Sequence, residues 1–117
     1  MAKKARVDYD EENDILWVYS GEKVKDSLEV DSFVIDFSHD DKVVGVEIIN
    51  ASEVISSLAI IIIIKEGLAN TKEASLSFYQ SRELFYVVVG LIMTVNGKTR
   101  EIPIQVPAPK LAVAMHN

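Results

Sequence analysis

The stretch from Phe33 to Ser52, FVIDFSHDDKVVGVEIINAS, constrains the fold of this chain more than any other. Phe33, Ile35 and Phe37 alternate with Val34 and Asp36, a polar SHDD follows, and Val44, Val46 and Ile48 alternate with Gly45 and Glu47. A period of two marks half-buried strands, and the turn between them makes the pair a β-hairpin. At Asn50 the period changes. Asn50 with Glu53 three residues on reads as an N-cap and capping box, and Val54, Ile55, Leu58, Ala59, Ile61 and Ile62 recur at helical spacing. Lys65 in a last turn and Gly67 at a C′ position then close a helix over about 51–66. The isoleucines from Ile60 to Ile64 pull the other way, because β-branched residues disfavour helix and the run alone reads equally as a buried strand.

On either side of this stretch the pattern is β. Arg6 to Tyr9 and Ile15 to Tyr19 read as strands around the acidic turn Asp10 to Asp14, Ser20-Gly21 as a reversal, and Val24 to Val30 as a weaker edge strand. Beyond a polar connection, Ser75 to Gln80 alternates, Leu84 to Val95 is long and apolar, and Asn96-Gly97 turns the chain into Thr99 to Val106. Gly90 marks a bulge or a close backbone approach, and Pro103, Pro107 and Pro109 confine the last strand to an edge or end it. The tail 107–117 has no periodic pattern, and Leu111, Val113 and Met115 could dock or stay disordered. The expected fold is therefore α+β: an antiparallel β-meander packed on one main helix, followed by a C-terminal β-hairpin within 75–106.

With 117 residues the chain is expected to form one domain, 1–117, around a single core. It has no cysteine, which excludes disulfides and thiolate-ligated zinc and suits a reducing cytoplasm. The N-terminus lacks the apolar run of a signal peptide, and no apolar run reaches the ~18–20 residues of a membrane span, so no membrane partner is expected. Residues 1–50 carry thirteen acids against six bases, or −7, and residues 51–117 five against six, or +1, which gives the total of −6. Without a Lys/Arg cluster, direct nucleic-acid binding is not expected; a basic protein could meet the acidic half.

Few residues offer chemistry. Asp10, Glu12 and Asp14 alternate like the opening of a calcium loop, but Ile15 stands where the glycine and Gly21 where the bidentate glutamate should be. They are metal or ligand candidates at most, and an acidic solvated turn accounts for them as well. Asp36 and Glu47 are the acids set within strands. With a four-residue loop they fall on one face about four positions, or ~13 Å, apart, beyond the reach of a general acid/base pair. His39 sits in a turn and His116 at the C-terminus, neither beside a fixed partner. No nucleophile elbow and no glycine-rich phosphate loop occurs, so no cofactor is expected. On a helix over 51–66, Ile60, Ile63 and Ile64 spread beyond the face that one sheet can cover. That predicts a covered second side, either by another copy in a homodimer or by the chain's own C-terminal hairpin. Trp17 and Tyr19 project to one face of their strand, alternating with Val18, and Trp17 is a further core or interface candidate.

With the strands placed, Tyr9-Asp10 with Glu12 and Asp14, Ile15-Leu16-Trp17-Val18, Val30-Asp31, Val34-Ile35-Asp36-Phe37 and Val44-Gly45-Val46-Glu47-Ile48 running into Asn50-Ala51-Ser52 together resemble a known family. It is the YuzE-like family of short prokaryotic domains of unknown function, domain-of-unknown-function family 2283, and the resemblance covers about residues 7–52. What it implies is a small β-meander with a helix and no assigned activity, cofactor or catalytic residue. It also implies that an antitoxin-like role beside a small basic ribonuclease toxin is imaginable. The expected function is a non-enzymatic interaction or structural domain that self-associates.

Overall fold

The period-two segments are strands, and they pair into a sheet that runs through nearly the whole molecule. The computed structural model describes residues 3–80 and 84–109. Along the chain come β1 (Lys3–Asp10), β2 (Ile15–Tyr19), β3 (Asp26–Val30), β4 (Phe33–Phe37), β5 (Val43–Ile49), α1 (Ala51–Ala59), α2 (Lys65–Ala69), β6 (Glu73–Gln80), β7 (Leu84–Val95) and β8 (Lys98–Pro109). The strands form one antiparallel sheet in the order β3-β4-β5-β2-β1-β6-β7-β8. The predicted bounds of β2, β4, β5 and β7 match the structure, and β3 is an edge strand as expected. The tail residues Leu111, Val113, Met115 and His116 lie outside the described residues.

The fold class expected from sequence is wrong. The molecule is mostly strand, a curled eight-stranded antiparallel sheet, and not an α+β sheet packed on one main helix. Two features produce the difference. First, β1 has a partner on each side: Arg6 to Asp10 pair with β2, and Lys3 to Ala5 pair with β6. The C-terminal strands therefore continue the meander instead of forming a separate hairpin. Second, the helix expected over 51–66 stops at Ala59, and after an irregular connector only a five-residue α2 follows.

Alternation sorts side chains to two faces. Leu16, Val18, Ile35, Val46 and Ile48 from the meander share one buried cluster with Val87, Val89, Leu91, Ile102 and Ile104 from the C-terminal strands. Ile55 of α1 and Leu68 of α2 join that cluster, and α1 packs between β5 and β8. Gly90 faces Ser75 across the β6–β7 pair, and a Cβ there would come within 2.5 Å of Ser75 Oγ, the close approach its position suggested. Asn96 and Gly97 both have positive φ, as a tight hairpin turn with a primed geometry requires.

Candidate functional site

Three places in the fold collect the residues that carry chemistry: the β1–β2 turn, the outer face of the meander, and the isoleucine connector between α1 and α2. In the turn, Asp10 and Asp14 serve different donors. Asp10 accepts the Asn13 backbone N–H at 3.1 Å and its side-chain amide at 2.8 Å, bonds that hold the Asp10 carboxyl below its ordinary value. Asp14 has the left-handed backbone conformation, with φ 55°. It accepts the Tyr9 hydroxyl at 2.6 Å, the Ser52 hydroxyl at 2.6 Å and the Ser52 N–H at 3.0 Å, while its own carbonyl takes the Ala51 N–H.

Asp14, rather than the expected Asn50, is thus the cap of α1. Asn50 is itself left-handed and makes no side-chain capping bond, so the predicted capping box does not form. Burial raises the Asp14 carboxyl, but hydrogen bonds from Ser52 and Tyr9 and the charge of Lys65 outweigh it and hold the group below its ordinary value. Burial and the bond to Asp14 push the Tyr9 hydroxyl well above the usual phenol value. Glu12 is exposed. Among the described residues no group of three or more His, Asp or Glu is arranged to hold a metal ion.

On the outer face, the expected ~13 Å between Asp36 and Glu47 is not what the strands produce. The loop is one residue longer than supposed and the register shifts beside Asp36, so that Asp36 faces Gly45 and Glu47 faces Val34. The two acids become diagonal neighbours, roughly 7–8 Å apart. Burial, and then the charge of Asp36, raise the Glu47 carboxyl above its ordinary value. Asp36 itself is almost wholly buried, and both its oxygens are engaged, one by the Ser27 hydroxyl at 2.7 Å and one by Trp17 Nε1–H at 3.1 Å. Gly45 makes this possible: a Cβ there would lie 2.8 Å from Asp36 Oδ2 and 3.1 Å from Trp17 Nε1. Trp17 stacks on Tyr19 with ring centroids 4.0 Å apart, and the Tyr19 hydroxyl donates to Asp8 at 2.8 Å. This cluster uses its acids to hold aromatic rings on the sheet. His39 is exposed in the β4–β5 turn.

The connector is neither the helix nor the strand that the run of isoleucines offered. Ile60 leaves α1 in the left-handed conformation, φ 58° and ψ 34°, and the N–H groups of Ile60 and Ile61 both return to the Ser56 carbonyl. That is a Schellman-type ending, whose left-handed position is normally filled by glycine. Of the six non-glycine residues with positive φ among the described residues, five are Asp or Asn; Ile60 is the other. A β-branched side chain there costs about 1–2 kcal/mol. The Ser56 hydroxyl then accepts the Ile63 N–H at 2.7 Å and donates to the Ile63 carbonyl at 3.1 Å.

This clamp sorts the run. Ile63 turns inward and is 5% exposed, whereas Ile60, Ile62 and Ile64 are 89%, 86% and 59% exposed, with Leu58 on the preceding turn at 50%. Beside them lies a groove of about 650 Å³ whose apolar walls include Ile61, Ile63, Met93 and Val95. Of the residues singled out as an interface, Ile60, Ile63 and Ile64 share this connector and Trp17 lies apart on the outer face. The exposed Ile62 is not among them, because on an unbroken helix over 51–66 it falls in the periodic set with Ile55 and Leu58. Only the left-handed turn at Ile60, which an unbroken isoleucine run gives no sign of, would have revealed it. No helix among the described residues is long and apolar enough to cross a membrane.

Comparison with known proteins adds a family and two relatives. An uncharacterised protein of Methanocaldococcus jannaschii, MJ0789, is 51% identical over 51 residues, which are 43% of this chain and 44% of that protein. A Methanosarcina mazei protein named "Putative hypoxanthine phosphoribosyltransferase" is 38% identical over 48 residues, 40% of this chain and 39% of that protein. The chain thus matches less than half the length of each of these relatives. No solved structure matches. The resemblance read from Val7 to Ser52 is shown by the family comparison: residues 6–52, from the meander half of β1 to the serine that donates to Asp14, match the family described as a protein of unknown function (DUF2283).

Proposed function

We propose that this protein works by binding another protein surface, with the connector from Leu58 to Ile64 as its contact. One observation carries the reading: a strained, left-handed Ile60 that is 89% exposed. Within the chain that side chain returns nothing for the strain, since glycine would close the helix more comfortably and bury as much. A residue held against its own backbone preference and presented to the outside is accounted for by a partner that covers it. The engaged carboxylates support the same reading. Asp14 caps a helix and Asp36 holds an indole, and these structural bonds account for both carboxylates.

A photoreactive amino acid placed at Ile62 in the full chain, in cells that make it, tests this. An adduct at Ile62, absent when the same group replaces the exposed Glu29 of β3, is the expected result; no adduct at Ile62 removes the reading. A second reading places a basic protein over the outer face, where Asp8, Glu29 and Glu47 gather around the Trp17–Tyr19 stack. It predicts the adduct at Glu29 instead.

A further inference from the structure

We infer that the partner of the isoleucine connector is a second copy of this chain, related by a two-fold axis. The inference rests on the interaction reading above and adds who the partner is. A two-fold contact uses the same patch on both copies, so the patch must carry both a projection and a recess that receives it. The connector has them side by side. Ile60, Ile62 and Ile64 form an exposed aliphatic ridge, and Ile62 and Ile64 are also the near wall of the groove, whose other side is Met93, Val95 and the more polar Thr94 and Asn96. Turned through a half rotation, the ridge of one copy faces the groove of the other.

Charge favours the same partner. The chain carries −6, and thirteen of its acids lie in residues 1–50, so two copies repel across most of their surface. From Ala51 to Leu68 the charged residues are Glu53, Lys65 and Glu66, and this is the stretch where two acidic molecules can meet with little repulsion. A basic partner, by contrast, would find nothing to pair with on the ridge itself. The four side chains from Leu58 to Ile64 present on the order of 400–500 Å² of apolar surface, the upper range for one patch on a monomer. That is short of the ~800 Å² per partner of a standard interface, so the dimer is expected to be a modest one that dissociates on dilution.

The alternative route to self-association, adding strand to strand, is blunted at both edges of the sheet. The edge strand β3 is five residues long and carries Asp26 and Glu29, and the edge strand β8 carries Pro103, Pro107 and Pro109. Of the exposed apolar side chains, those of the connector are the most exposed, ahead of Phe78 and Tyr79 on β6 at 46% and 43%.

Sedimentation velocity of the full chain at micromolar concentration, with urea unfolding of the same samples, tests this through two variants. The unmodified protein is expected to be a dimer. Ile62→Ser, which changes an exposed side chain, is expected to weaken association at least about tenfold. Ile60→Gly is expected to weaken it similarly while raising the urea midpoint measured on monomer, because it removes the strain together with the ridge. A monomeric unmodified protein, an assembly larger than two, or a dimer that both variants leave unchanged would overturn the inference. The photo-adduct at Ile62 separates the two levels: an adduct to a different protein keeps the interaction reading and removes the second copy, and no adduct removes both.

Discussion

At the scale of single residues, side chains here spend polar atoms on geometry. Gly45 is the clearest case, since its missing Cβ is the space in which Trp17 reaches Asp36. Gly45→Ala is expected to push the indole off the carboxylate and cost about 1–3 kcal/mol, the price of a buried polar group left short of a partner. Urea unfolding and the emission of Trp17, the one tryptophan in the chain, read both effects. Asp14→Ala removes the cap of α1 and is expected to cost about 1–3 kcal/mol near neutral pH. Its pH dependence has a definite sign. The folded Asp14 carboxyl is held below 3.8, so its contribution is present above 3.8 and is lost as the pH falls through the lowered folded value. The gap in stability between the unmodified protein and Asp14→Ala should therefore close at acid pH; a gap that stays constant down to pH 2 would show that Asp14 acts through neutral contacts alone. Tyr9 has the opposite sign. Its hydroxyl is raised in the fold, so its contribution is full below 10.0 and fades as the pH rises beyond it.

At the scale of elements, the strands were legible and the connector was not. In β2, β4 and β5 the alternating set Leu16, Val18, Phe33, Ile35, Phe37, Val44, Val46 and Ile48 is buried, a direct physical image of the period in the sequence, while Ile15, Val34 and Ile49 take the less buried positions between. The helix start was placed correctly for the wrong reason: α1 begins at Ala51, but the capping oxygen comes from Asp14, which is remote in sequence and invisible to local spacing. The helix end was misplaced because Ser56 and Ile60 act together. Propensity rules disfavour an isoleucine in the left-handed position, and the turn is held by the Ile60 and Ile61 N–H groups on the Ser56 carbonyl together with the two bonds between the Ser56 hydroxyl and Ile63. Ser56→Ala is expected to release the connector at a cost of about 1–2 kcal/mol and to speed amide exchange at Ile63, while exchange in β7 stays slow. Equal protection at Ile63 in the variant would show that packing alone holds it.

At the scale of the whole molecule, the sheet order could not be read from pattern, because the pattern of β1 is the same whichever strands flank it. Lys3 to Ala5 look no different from Arg6 to Asp10, yet the first three residues pair with β6 and the rest with β2. The two halves that looked like a short domain and an extension bury a common cluster. A fragment of residues 1–59 would leave Leu16, Val18, Ile35, Val46 and Ile48 without the strands that cover them. It is expected to show no cooperative unfolding transition as a monomer by circular dichroism, and a sharp monomeric transition would mean that the meander is stable alone.

The split pairing of β1 also sets an order of events as the chain emerges from synthesis. The β1–β2, β3–β4, β4–β5 and β7–β8 pairings are hairpins close in sequence, whereas β2 reaches over β3 and β4 to pair with β5. Lys3, however, must wait for Leu76 before the two halves join. Until then Leu16, Val18, Ile35, Val46 and Ile48 lack the C-terminal strands that share their cluster. The β1–β6 pairing closes the longest loop of any strand pair among the described residues, so the β6 side of the first strand is expected to be fixed after the local hairpins.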